Sequence, residues 1–114
     1  MAATYNIDTY SVRLWSSRPT TNLNPGVAAA GIYLYQGGVY RGYAYFYPDG
    51  TPLPQPVINA ASGQVFVSFN LSQLGPVLAM LREEKPIYLY EFGTTNAGLM
   101  TGDEPTGEDE GLDG

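Results

Sequence analysis

Tyr33, Tyr35, Tyr40, Tyr43, Tyr45 and Tyr47 fall within fifteen residues, and Arg41 is the only charged side chain among them. A tyrosine offers a broad apolar ring with a hydroxyl at its tip. A row of them can stack, line an interface or hydrogen-bond at its rim. An arginine nearby can lay its guanidinium over a ring. Tyr88 and Tyr90 repeat the pattern in "PIYLYEF". The chemistry these residues suit is recognition.

Catalysis finds less support. The chain has no histidine and no cysteine, so the commonest general base, the commonest metal ligand and any thiolate metal site are missing. Glu83 and Glu84 are neighbours on an expected helix, where their side chains diverge rather than face each other as an acid–base pair must. Asp49 belongs to an Asp-Gly turn, where aspartate makes local hydrogen bonds. "QGGVYRG" and "GTTNAG" lack the lysine of a phosphate loop, and "DEPTGEDEGLDG" does not hold EF-hand spacing. The expectation is a protein that is not an enzyme, with no cofactor and no metal.

The elements that must carry the tyrosines are strands. Residues 31–47 read as a β-hairpin, because Gly37-Gly38 suits a two-residue turn with positive φ. Counting outward from that turn pairs Tyr35 with Tyr40, Leu34 with Arg41 and Tyr33 with Gly42. One face would then carry Tyr33, Tyr35, Tyr40, Gly42, Ala44 and Phe46. The other would carry Ile32, Leu34, Val39, Arg41, Tyr43, Tyr45 and Tyr47. Both faces are apolar, and Tyr33 would cover Gly42 as a cross-strand aromatic over a glycine.

Residues 4–15 read as an earlier strand whose apolar phase changes. Tyr5 and Ile7 share one parity, Tyr10, Val12 and Leu14 the other, so a bulge is expected near Asp8-Thr9. Trp15 ends that strand as a core residue or an interface anchor. Turn signals fill the connection through Pro19 and Asn24-Pro25-Gly26. "PDGTPLPQP" reads as an irregular loop, since proline removes ladder donors. Val57–Ala60 and Gln64–Leu71 form a second hairpin. Leu71, Leu74, Val77, Leu78 and Leu81 then repeat at helical spacing, with Asn70 or Ser72 as cap and Lys85-Pro86 as stop. A last strand follows at 86–92.

This order predicts a small α+β domain. Its core would be a curved, mostly antiparallel sheet of five or six strands, open or closed toward a barrel, with one amphipathic helix on one face. The domain would span 1–93, with its helix near 72–85, and 94–114 would be a flexible, acidic, glycine-rich tail. Net charge is −6, yet acids and bases balance up to Met100, and the last fourteen residues carry six acids and no base.

In composition this tail resembles the one that follows the domain of the bacterial single-stranded DNA-binding protein, where it recruits partners and competes with DNA. The hydrophobic residue that ends that family's tail has no counterpart in Asp113-Gly114. The expected fold is similar, at the level of architecture alone, to the Whirly and transcriptional-coactivator type of DNA-binding domain.

Two functions follow as expectations. The first is a non-catalytic module that binds a protein, or a second copy of itself, through an aromatic face built from Tyr33, Tyr35, Tyr40, Arg41, Tyr43, Tyr45, Tyr47, Tyr88 and Tyr90. The alternative is a single-stranded nucleic-acid binder regulated by its tail. Such a binder needs basic residues to track phosphates, and the chain has only five. A small-molecule pocket inside a closed barrel is a third reading. Neither a signal peptide nor a membrane span is evident in the pattern, so the expected location is cytoplasmic.

Overall fold

The change of apolar phase at Asp8 is a change of sheet. A computed structural model of the chain describes residues 3–16, 27–93 and 96–102. Strand β1 (Ala3–Ile7) stops at Asp8, and β2 (Thr9–Leu14) resumes in a different sheet. The expected bulge is therefore a corner, a device by which one strand serves two packed sheets.

The remaining elements are β3 (Ala30–Gln36), β4 (Val39–Tyr47), β5 (Val57–Ile58), β6 (Val65–Asn70), a 3₁₀ turn (Leu71–Gln73), α1 (Leu74–Glu83), β7 (Ile87–Glu91) and β8 (Ala97–Thr101). They form a three-stranded sheet, β1-β7-β8, and a five-stranded sheet, β2-β3-β4-β6-β5. The fold is thus sheet-rich with one short helix. The expectation of one sheet of five or six strands is corrected to two, and neither closes into a barrel. The strands pair antiparallel except β4 and β6, which run parallel. A parallel pair needs a long crossover, and the proline-rich stretch 48–64, with β5 inside it, supplies one.

The inner faces of both sheets share one core. Ala30, Ile32, Leu34, Ala44, Phe46, Val65 and Val67 meet Ile7 and Leu89 from the smaller sheet and Val77 from α1. Leu74, Leu78 and Leu81 pack against this cluster, so the helical stripe forms as its spacing predicts. Leu71 stands apart, exposed in the 3₁₀ turn.

Asn70 takes the cap position of that turn. Its N–H donates to Gln73 Oε1 at 3.0 Å, and the Ser72 N–H donates to Asp49 Oδ1 at 3.1 Å. The Asp49 side chain thus serves the helix entry. These contacts satisfy N–H groups that a helix start leaves without intrahelical partners.

The stretch expected to begin the tail holds a strand. β8 pairs with β7 along its whole length, from Ile87–Thr101 to Glu91–Ala97. The acidic segment 103–114 and the turn signals at Pro19 and Asn24-Pro25-Gly26 lie outside the described residues.

Candidate functional site

A register slip in the β3–β4 hairpin builds the site. Tyr35 faces Tyr40 as the turn dictates, but the next pairs are Leu34–Gly42, Tyr33–Tyr43, Ile32–Ala44 and Gly31–Tyr45. Arg41 is the extra residue. The expected pairs Leu34–Arg41 and Tyr33–Gly42 do not form. An unbroken ladder would have turned Ala44 and Phe46 outward, onto the face of Tyr33. Burying a phenylalanine is worth about 1.5–3 kcal/mol, against about 0.5–1.5 kcal/mol for one interrupted ladder bond. The bulge wins. It gathers the aliphatic residues inside and moves the tyrosines from both sides of the expected hairpin onto one outer face.

That face is a continuous layer of rings. Tyr43 and Tyr45 stack with centroids 3.8 Å apart, and Tyr43 also meets Phe66 of β6 at 4.6 Å. Tyr33 lies 6.0 Å from Tyr40, 6.3 Å from Tyr43 and 6.4 Å from Tyr45, while Tyr35 and Tyr40 are 5.8 Å apart. Trp15 approaches Tyr45 edge-on at 5.5 Å. The Tyr33 and Tyr45 hydroxyls are 3.3 Å apart and share a hydrogen bond. Trp15 and Tyr45 together cover Gly31, where an added Cβ would come within 2.9 Å of the indole and 3.0 Å of the tyrosine ring. The aromatic-over-glycine device is present, but at Gly31 rather than Gly42.

Only some of the expected residues belong to this layer. Tyr33, Tyr35, Tyr40, Tyr43 and Tyr45 do. Tyr47 continues the row by alternation and is half-buried. Arg41 does not: its guanidinium lies 4.3 Å over the ring of Tyr5 in β1, and its Nε donates to Gln36 Oε1 at 3.0 Å. As the bulge residue it turns toward the smaller sheet. Tyr88 and Tyr90 also lie elsewhere, on the outer face of that smaller sheet, because Ile87 and Leu89 fill the alternate, buried positions of β7.

Two contributors were not singled out as site residues from sequence. Phe66 alternates out of phase with buried Val65 and Val67. Arg13 lies 4.7 Å over the ring of Tyr33. The parity of Arg13 against Val12 was readable, but its partner strand was not.

Burial raises the phenol of Tyr40 to about 12, and the nearby Tyr33, Tyr43 and Tyr35 add to the effect. Tyr43 is raised too, first by burial and then by Tyr47 and Tyr33. The Tyr40 and Tyr43 hydroxyls are therefore neutral donors and acceptors at physiological pH.

A separate cleft of about 490 Å³ lies between the β1–β2 corner and the end of α1, lined in part by Asp8, Arg82, Glu83, Glu84 and Lys85. Asp8 is engaged there, accepting from the Gly37 N–H at 2.8 Å and the Thr9 hydroxyl at 2.9 Å. Among the described residues no three acidic side chains converge as metal ligands, and no helix is long and apolar enough to cross a membrane. No protein-family model, no curated protein and no solved structure matches this chain.

Proposed function

We propose that the protein is a non-catalytic binding or assembly module that works through the tyrosine layer, with a protein chain as the occupant. The observation that carries this reading is the single contiguous layer formed by Tyr33, Tyr35, Tyr40, Tyr43, Tyr45 and Phe66. The smaller sheet and the helix pack against the opposite face. Aromatic area with hydroxyl tips is the composition enriched in protein interfaces.

The same geometry weighs against single-stranded nucleic acid as the occupant. Base stacking needs open ring faces and cations to follow phosphates. Tyr43 is stacked on Tyr45 and packed by Phe66, and Tyr33 already carries Arg13 on its face.

The test is a Tyr43→Ser, Tyr45→Ser double variant of the full chain, compared with the parent by light scattering and by affinity capture with defined partners. Loss of partner capture with an intact fold is expected. Retention of every partner would remove the reading, and salt-sensitive binding of an oligothymidine by the parent would favour the nucleic-acid alternative.

A further inference from the structure

The edge of the five-stranded sheet carries an inference independent of what the tyrosine layer binds. Among the described residues β2 is an edge strand that pairs with β3 alone. Tyr10, Val12 and Leu14 lie on its inner face, opposite the buried Leu34, Ile32 and Ala30. Yet Val12 is 39% exposed and Leu14 70% exposed, so neither the helix nor the smaller sheet reaches this margin. The strand has no proline or lysine among its six residues and one charge, Arg13. Edges are usually blunted by such devices.

The direction of the free backbone groups can be read from the ladder. The Trp15 N–H donates to Ala29 O at 3.0 Å. In an antiparallel pair, residues whose backbone groups face the partner alternate with residues whose groups face away. Ser11 and Arg13 therefore bond toward β3, like Trp15. Tyr10, Val12 and Leu14 direct their N–H and C=O groups out of the edge.

We propose that β2 pairs antiparallel with β2 of a second copy, about a two-fold axis at Val12. Three constraints meet in this register. A continuous sheet keeps inner residues opposite inner residues, so the paired numbers must have even sums. Centring on Val12 sets Val12 opposite its own copy and Tyr10 opposite Leu14, which joins all the outward backbone groups of those three residues and covers both exposed aliphatic side chains. It also sets Arg13 opposite Ser11. Moving the axis to Arg13 would oppose two like charges, which destabilises a cross-strand pair. Moving it to Ser11 would leave Leu14 outside the pairs formed among residues 9–13. The product is a ten-stranded sheet with the two tyrosine layers on one common face.

The test is sedimentation of the full chain and two variants over a range of concentrations. Leu14→Lys changes a side chain that is mostly in solvent. Val12→Pro removes an N–H that the β2–β3 ladder does not use, and proline is tolerated at such edge positions. The parent is expected to dimerise, and both variants to shift to monomer with their circular dichroism unchanged. Tyr43→Ser, Tyr45→Ser should still dimerise through the edge, which separates failure of this inference from failure of the layer. In the parent, amide exchange at Tyr10, Val12 and Leu14 should slow with rising concentration, while Ser11 and Arg13 stay protected throughout. A parent that is monomeric at its solubility limit overturns the proposal. So does a dimer that survives Leu14→Lys with those three amides unprotected. Should Val12→Pro fail to fold, Leu14→Lys and the exchange pattern decide the matter.

Discussion

Gly42 lies so close to the backbone of Val65 that a Cβ there would collide with the Val65 carbonyl oxygen. Its φ of +149° also belongs to a region that side-chain-bearing residues rarely adopt. Both demands come from the bulge at Arg41 and the close parallel approach of β4 to β6. Gly42→Ala is therefore expected to lower unfolding free energy by roughly 3 kcal/mol or more, since the obstacle is backbone and cannot rotate away. Urea denaturation followed by tyrosine fluorescence measures it. A loss under about 1 kcal/mol, within the range of ordinary single substitutions, would mean the strands part easily.

Tyr40 sets an alkaline limit. Its phenol is raised from 10.0 to about 12, chiefly by burial, so the fold favours the neutral form. The contribution is complete below pH 10 and is lost as pH rises through about 12. A titration of phenolate absorbance should show a late-ionising tyrosine that disappears in Tyr40→Phe. The variant should also lose part of the alkaline fall in stability.

Asp8 sets an acid limit. Its carboxyl is held below the ordinary 3.8, first by the Gly37 N–H and then by the Thr9 hydroxyl. The carboxylate is the form favoured by the fold. Its contribution is present above pH 3.8 and is lost as pH falls through the lower folded value. Asp8→Asn should flatten the acid end of the stability profile, read as denaturation midpoints from about pH 5 down to about pH 2. An unchanged slope would show that the tie to the hairpin turn does not persist in solution.

Glu91 is 4% exposed on the inner side of β7, and its Oε1 has no hydrogen-bond partner among the described residues. An unsatisfied buried polar group costs about 1–3 kcal/mol. Glu91→Met keeps a similar length without the oxygen atoms, so it should raise the free energy of unfolding by about that amount. A destabilised variant would show that the carboxylate is engaged in solution.

The hairpin at 31–47 illustrates how much of the fold was legible. Gly37-Gly38 located the turn, and the Tyr35–Tyr40 pair formed as counted. The register beyond it was not legible, because the slip at Arg41 depends on which row the core accepts. At Asp8 the phase change was visible, whereas its meaning was not, because a bulge and a corner between sheets leave the same pattern in one strand. β8 was missed because Ala97-Gly98-Leu99-Met100-Thr101 carries little strand propensity of its own. It becomes a strand by pairing with β7.

Local chemistry determined what could be read from the chain alone: turns where glycine accepts positive φ, a helix where leucines recur at its period, strands where aromatic and β-branched residues alternate. The tertiary structure decided which tyrosines share a surface. It set Tyr88 and Tyr90 on another sheet, turned Arg41 toward Tyr5, and brought Phe66 and Arg13 to the layer. Such groupings depend on strand order and register across distant segments. Those are settled by the combined burial of one core, which no local window contains.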